Sequence, residues 1–179
     1  MRLTSVWYFA YGSNMHSATL RGRRGVAWKR ALPARAPGWR IVFDKPPLVP
    51  VGESYANLVG DASSETFGVV YEVSAEDLEH IELTEGVRIE NYARVAITVV
   101  PLTAPAEPVV AATLVSERRD PSLLPSERYM ACVVAGATEH GLPPEWIAFL
   151  RAVPARPETA EAALWRPQLD AAMRRAPRS

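Results

Sequence analysis

Two spacings of apolar residues divide this chain. In its first two thirds they come in short runs of strand character, over residues 6–11, 39–43, 54–59, 67–73, 92–100 and 109–115. The fifth run is the strongest, being dense in β-branched residues and free of Gly and Pro. A proline-bounded loop over 101–108 joins it to the sixth, which predicts an antiparallel pair. Gly68 inside the fourth run marks a bulge or a close backbone approach. Gly22, Gly25, Pro33 and Pro37 predict a helical turn over 17–21 followed by irregular chain to residue 38. Pro46, Pro47 and Pro50 predict a loop that a central sheet strand excludes.

The helical spacing appears first at Ser74. Ser74 is a capping residue, Glu76 and Asp77 suit the positive end of a helix, Leu78 and Ile81 share a face, and Gly86 stops the helix just after Glu85. From Ser126 to His140, the residues Tyr129, Met130, Val133, Val134 and Ala137 form one stripe, with Gly141 as the stop. Pro143 and Pro144 then open a short helix with Trp146, Ile147, Phe149 and Leu150 on its apolar side, ended by Pro154. Residues 155–179 are rich in Ala, Arg and Glu, with Pro157 and Pro167, and predict a partly helical tail with little core. Strands followed by helices, without internal repeats, predict an α+β fold, with a domain over 1–154 and the tail over 155–179.

Composition narrows the function. With 179 residues, 48% of them hydrophobic, the chain suits one domain with a sizeable core. Its formal net charge of zero gives no general reason for a nucleic-acid or membrane partner. The charge is nonetheless segregated: residues 21–40 hold seven basic residues and no acid, while 61–90 hold nine acids and one base. Such blocks are solvated faces that meet each other or a second copy, and they leave a homodimer open. Cys132 is the single cysteine, so an intrachain disulfide and a Cys-rich zinc site are excluded. The absence of a charged leader with an apolar core, and of any run near the ~18 apolar residues of a membrane span, leads to the expectation of a cytoplasmic protein. His16, His80 and His140 lack paired spacing, so no metal site is expected, and there is no Gly-x-Ser-x-Gly elbow.

Two stretches carry candidate chemistry. The apolar run Val6 to Tyr11 ends abruptly in Gly12-Ser13-Asn14, leaving consecutive backbone N–H groups without ladder partners where a ligand can approach closely. An ordinary turn is the alternative reading. Glu85 stands at the carboxyl end of its helix, where the dipole disfavours a negative charge and suits a proton carrier. A solvated acid within the acidic block is the alternative there.

Phe9-Ala10-Tyr11-Gly12-Ser13-Asn14, Glu85-Gly86-Val87 with Tyr92 seven residues on, and Tyr129 followed by His140-Gly141-Leu142-Pro143 together resemble the γ-glutamylcyclotransferase family over residues 6–154. The resemblance implies a small mixed β-barrel with flanking helices and a small-molecule γ-glutamyl substrate, cyclised to 5-oxoproline without cofactor or metal. It implies Glu85 as the catalytic acid–base. Tyr11, Gly12, Ser13 and Asn14 are then the substrate-binding loop, and Tyr92 and Tyr129 line the pocket. Core packing is the alternative for both of those tyrosines. A non-catalytic small-molecule binding or interaction protein on the same fold is the alternative function.

Overall fold

The computed structural model describes residues 5–176. Five strands form a closed barrel: β1 (Ser5–Ala10), β2 (Arg30–Lys45), β3 (Tyr55–Ser74), β4 (Ala93–Pro101) and β5 (Val109–Val115), in the order β1-β3-β2-β4-β5. All neighbours are antiparallel except β1 and β5, which meet in parallel at Tyr8 and Ala112 and complete the closure. Closure covers the sheet edges only locally, through the single β1–β5 pair and the β2–β4 pairs at Ala34 and Arg35. Four helices flank it: α1 (Ala75–Glu85), α2 (Glu127–Glu139), α3 (Pro144–Ala152) and α4 (Ala160–Arg175). The expected small mixed barrel with flanking helices is therefore the observed architecture.

The strands bury Phe9, Ile41, Leu58, Val69, Tyr71, Ile97, Val99 and Leu114, drawn from both faces of the sheet, and α1 and α2 add Ile81 and Val133 to the core. Two small residues set the spacing between elements. A side chain at Gly68 would collide with the Ala10 carbonyl, which is the close approach expected there. At Gly136 a Cβ would lie 2.5 Å from His16 N and 2.7 Å from Met15 C, so this glycine lets α2 rest directly on the turn that follows β1. That turn is consequently fixed from behind.

Two expectations about the strands are corrected. The chain is not irregular to residue 38, because β2 begins at Arg30 and runs through Pro33 and Pro37. Its pairing with β4 is confined to Ala34 and Arg35, so most of its edge away from β3 has no ladder for a missing N–H to break. A register shift between Pro37 and Trp39, with Gly38 at φ +80°, absorbs the remaining irregularity. Similarly, runs 54–59 and 67–73 are not separate strands: both lie largely within β3, which continues through Gly60-Asp61. The antiparallel register of β2 and β3 sets the basic block against the acidic one, pairing Arg30 with Glu72, Arg35 with Glu65 and Arg40 with Asp61.

The helix signals are met. Ser74 Oγ accepts from Asp77 N at 3.0 Å, and Gly86 in the left-handed conformation (φ +76°) ends α1 immediately after Glu85. In the tail, Thr159 caps α4 and also ties it to the 46–53 loop, donating its hydroxyl to Val51 O (2.6 Å) and its amide to Glu53 Oε1 (2.8 Å). No described helix is long and apolar enough to cross a membrane.

Candidate active site

The site forms where the end of β1 meets the end of α1. Beyond Ala10 the chain passes through Tyr11 and Gly12 into a single 3₁₀ turn, Ser13–Met15. The first amides of such a turn have no partner within it. Among the described residues, the N–H groups of Gly12, Ser13 and Asn14 have no hydrogen-bond acceptor. Gly12 approaches Tyr129 so closely that a Cβ there would lie 2.9 Å from its hydroxyl.

Glu85 is held across this loop by two donors. Asn14 Nδ2 donates to Glu85 Oε1 at 3.0 Å, and Arg24 Nη2 pairs with the same oxygen at 2.7 Å. Arg24 is itself braced, with Nε donating to Asn14 Oδ1 (2.9 Å) and Nη1 to the Thr84 hydroxyl. Asn14 Nδ2 also reaches Tyr8 OH at 3.0 Å. Both anchors use Oε1, so among the described residues Oε2 receives no hydrogen bond. The carboxylate is thus pinned by one oxygen and free at the other. The sequence expectation counted only the helix end and left out this direct ion pair.

Beyond the helix end, Asn91 Nδ2 caps the Glu85 carbonyl at 2.8 Å, and Asn91 Oδ1 accepts from Lys45 Nζ (2.6 Å) and Arg118 Nη1 (2.7 Å). Lys45 Nζ lies 4.4 Å from the centre of the Tyr92 ring. Burial pulls the Lys45 pKa down to about 8; the negative Glu85 opposes this and Arg118 adds to it. The hydroxyls of Tyr8, Tyr11, Tyr92 and Tyr129 are all held well above the ordinary tyrosine range, chiefly by burial. They act here as neutral hydrogen-bonding groups. Tyr11 OH donates to Leu114 O, and Tyr129 OH accepts from Ala56 N at 3.2 Å.

These groups share one cavity of about 500 Å³. All seven residues proposed from the sequence line it: Tyr11, Gly12, Ser13, Asn14, Glu85, Tyr92 and Tyr129. Tyr129 is a core aromatic, Tyr92 is partly buried and packs against the core, and both also form pocket walls, so the two readings of each coincide. Sequence reasoning missed Tyr8, Arg24, Lys45 and Asn91. It also missed the apolar wall given by Trp165, Leu169 and Met173 of α4, whose four-residue spacing was the available signal. No group of three or more His, Cys, Asp or Glu side chains suited to a metal occurs among the described residues.

A closed barrel of five strands, with the β1 turn and the end of α1 meeting at one mouth, defines the γ-glutamylcyclotransferase-like fold. A solved structure of a γ-glutamyl cyclotransferase superposes with a TM-score of 0.75 over 97% of this chain and 100% of its own, at 20% identity. The model of the AIG2-like family matches residues 65–150. In sequence the chain is 27% identical over 165 residues to the γ-glutamyl cyclotransferase aclK of Aspergillus oryzae, covering 82% of this chain and 60% of the fungal protein. It is also 27% identical over 146 residues to the γ-glutamylcyclotransferase of Bos taurus, covering 79% of this chain and 75% of the bovine one. The chain thus spans three fifths of the fungal relative and three quarters of the bovine one. The resemblance to the γ-glutamylcyclotransferase family holds in sequence and in fold.

Proposed function

We propose that this protein converts a γ-glutamyl amino acid or amine to 5-oxoproline and releases the amine. The observation that carries this reading is the Glu85 carboxylate, anchored through Oε1 and free at Oε2, in the same cavity as the unpaired amides of Gly12, Ser13 and Asn14. Nucleophile and electrophile belong to one substrate molecule, so the protein has only to curl the glutamyl unit and manage a proton. The loop amides hold the α-carboxylate. Glu85 Oε2 takes a proton from the α-ammonium, and the freed amine attacks the γ-carbonyl carbon. As the tetrahedral intermediate collapses, the bond to the leaving nitrogen breaks, Glu85 returns its proton to that nitrogen, and the ring nitrogen passes its one extra proton to the departing amine, which leaves as an ammonium. The products are 5-oxoproline and a free amine, with no change in oxidation state.

The substrate is a small molecule, and neither nucleic acid nor a membrane enters the reading. The protein acts in the cytoplasm, and a homodimer is compatible with it. Incubation with a panel of γ-glutamyl amino acids and γ-glutamyl amines, read by mass spectrometry for 5-oxoproline, tests the proposal. Formation of 5-oxoproline supports an enzyme, whereas its absence with every member of the panel overturns the proposal in favour of a binding protein.

A further inference from the structure

Five cationic side chains line the cavity: Arg23, Arg24, Lys45, Arg128 and Arg166. Four of them have carboxylate partners within the protein. Arg23 pairs with Asp170 (2.5 Å), Arg24 with Glu85 (2.7 Å), and Arg128 and Arg166 with Glu158 (2.7 and 2.9 Å). Among the described residues Lys45 alone in this set has no ion pair. It is also only 2% exposed.

An ammonium has three N–H donors. One is satisfied by Asn91 Oδ1 and the Tyr92 ring face lies beside the group, so donor capacity remains toward the cavity. Burial of a cation without a counter-charge is costly, and the cost falls when an anion arrives beside it. The charged and titratable groups around it are Glu85 at the end of α1, Arg118 after β5 and Tyr92 before β4. Glu85 offsets part of this cost from a distance but is anchored to Arg24 through Oε1, and Arg118 repels further positive charge. A direct carboxylate contact is left for a ligand to supply.

We infer that Lys45 is the receptor for a substrate carboxylate, the charged contact that complements the neutral amides of the Gly12 to Asn14 loop. This inference rests on the proposed γ-glutamyl substrate, which carries one carboxylate on the glutamyl unit and, when the leaving group is an amino acid, a second on that group. Its pH signature follows from the burial that lowers the lysine toward 8: ligand affinity weakens above that pH in the native protein, and less so with arginine at this position.

Calorimetric titration with glutarate, a dicarboxylate of the glutamyl chain length, tests the receptor without any turnover. Lys45→Met is expected to weaken binding by roughly 10- to 100-fold, the scale of a charge-assisted hydrogen bond, and Lys45→Arg by less. Native affinity in Lys45→Met, or equal losses in both variants, overturns the inference. The source of the carboxylate is read from the Michaelis constant of each substrate during turnover. An effect of Lys45→Met that vanishes for γ-glutamyl-alanine bearing an α-carboxamide assigns the glutamyl carboxylate, and one that vanishes for γ-glutamyl-ethylamine assigns the leaving group. Persistence of the effect in a substrate lacking both carboxylates overturns the inference. If no compound yields 5-oxoproline, the proposed reaction fails, and the glutarate titration still decides on Lys45.

Discussion

Replacing Lys45 with methionine is expected to stabilise the fold. Methionine keeps the length of the side chain and its packing on Tyr92, while Asn91 Oδ1 keeps its donor from Arg118. Burial lowers the lysine from 10.5 to about 8, so the charged form is disfavoured in the folded state. At about 1.4 kcal/mol per tenfold change, this is a cost of about 3 kcal/mol at neutral pH, of which the contact with Tyr92 returns about 1 kcal/mol. Lys45→Met should then be about 2 kcal/mol more stable at pH 7, roughly 4 to 8 °C in Tm for a chain of this size.

The sign of the pH dependence is fixed by linkage. Between about 8 and 10.5 the unfolded chain holds more protons at this lysine than the folded one, so the native protein gains stability as pH rises through that window. Below 8 the full cost is present. The advantage of Lys45→Met should therefore be constant below pH 8 and fade toward pH 10.5. Urea denaturation of both proteins at pH 7, 9 and 10.5 measures the gap, with the other titrating groups cancelling between them. A variant less stable than the native protein at pH 7, or a gap that does not change with pH, refutes the reasoning.

Glu85→Gln preserves an acceptor for Arg24 and Asn14 but removes the proton carrier, and should lose at least about 100-fold in 5-oxoproline formation while its circular dichroism stays native at 25 °C. A near-native rate would move the catalytic role elsewhere. Gly12→Val places a side chain against the Tyr129 hydroxyl and over the loop amides, so glutarate affinity should fall at least about tenfold; unchanged affinity would count against this loop as an anion site. Gly136→Ala drives a methyl group into the His16 and Met15 backbone and should destabilise the protein by roughly 1–3 kcal/mol in urea. Native stability there would mean that α2 is not seated against the turn as described.

The parts of the site legible in the sequence are those whose chemistry is local. Ser74, Asp77 and Gly86 define both ends of α1 through contacts within a few residues, which is why Glu85 could be placed at a helix terminus before any fold was known. Gly12-Ser13-Asn14 was legible for the same reason. Arg24 and Lys45 were not: in the sequence one is a member of a basic block and the other precedes a proline-rich loop. Their burial is decided by partners dozens of residues away, Glu85 for Arg24 and Asn91 for Lys45, which only the folded chain brings beside them. The length of β2 was hidden by Pro33 and Pro37, residues that a sheet excludes only where both edges are paired. The segregated charge was partly legible, since the antiparallel register of β2 and β3 is what brings the two blocks together.

The arrangement around Glu85 also explains why so small a site draws on widely separated segments. A glutamate at a helix end has several free torsions, and a proton carrier must keep one oxygen within reach of both the attacking and the leaving nitrogen. Asn14 and Arg24 remove that freedom from one side, and they are themselves fixed by Tyr8, Thr84 and each other. Because Asn14 belongs to the same turn as the unpaired amides, the separation between carboxylate and anion cradle is set by the β1 turn as well as by the end of α1. Weakening this brace, for instance at Arg24, would change the position of Glu85 relative to the cradle without touching a ligand. The two polar contacts to Oε1 therefore act as positioning elements for Oε2, the atom on which the proposed chemistry depends.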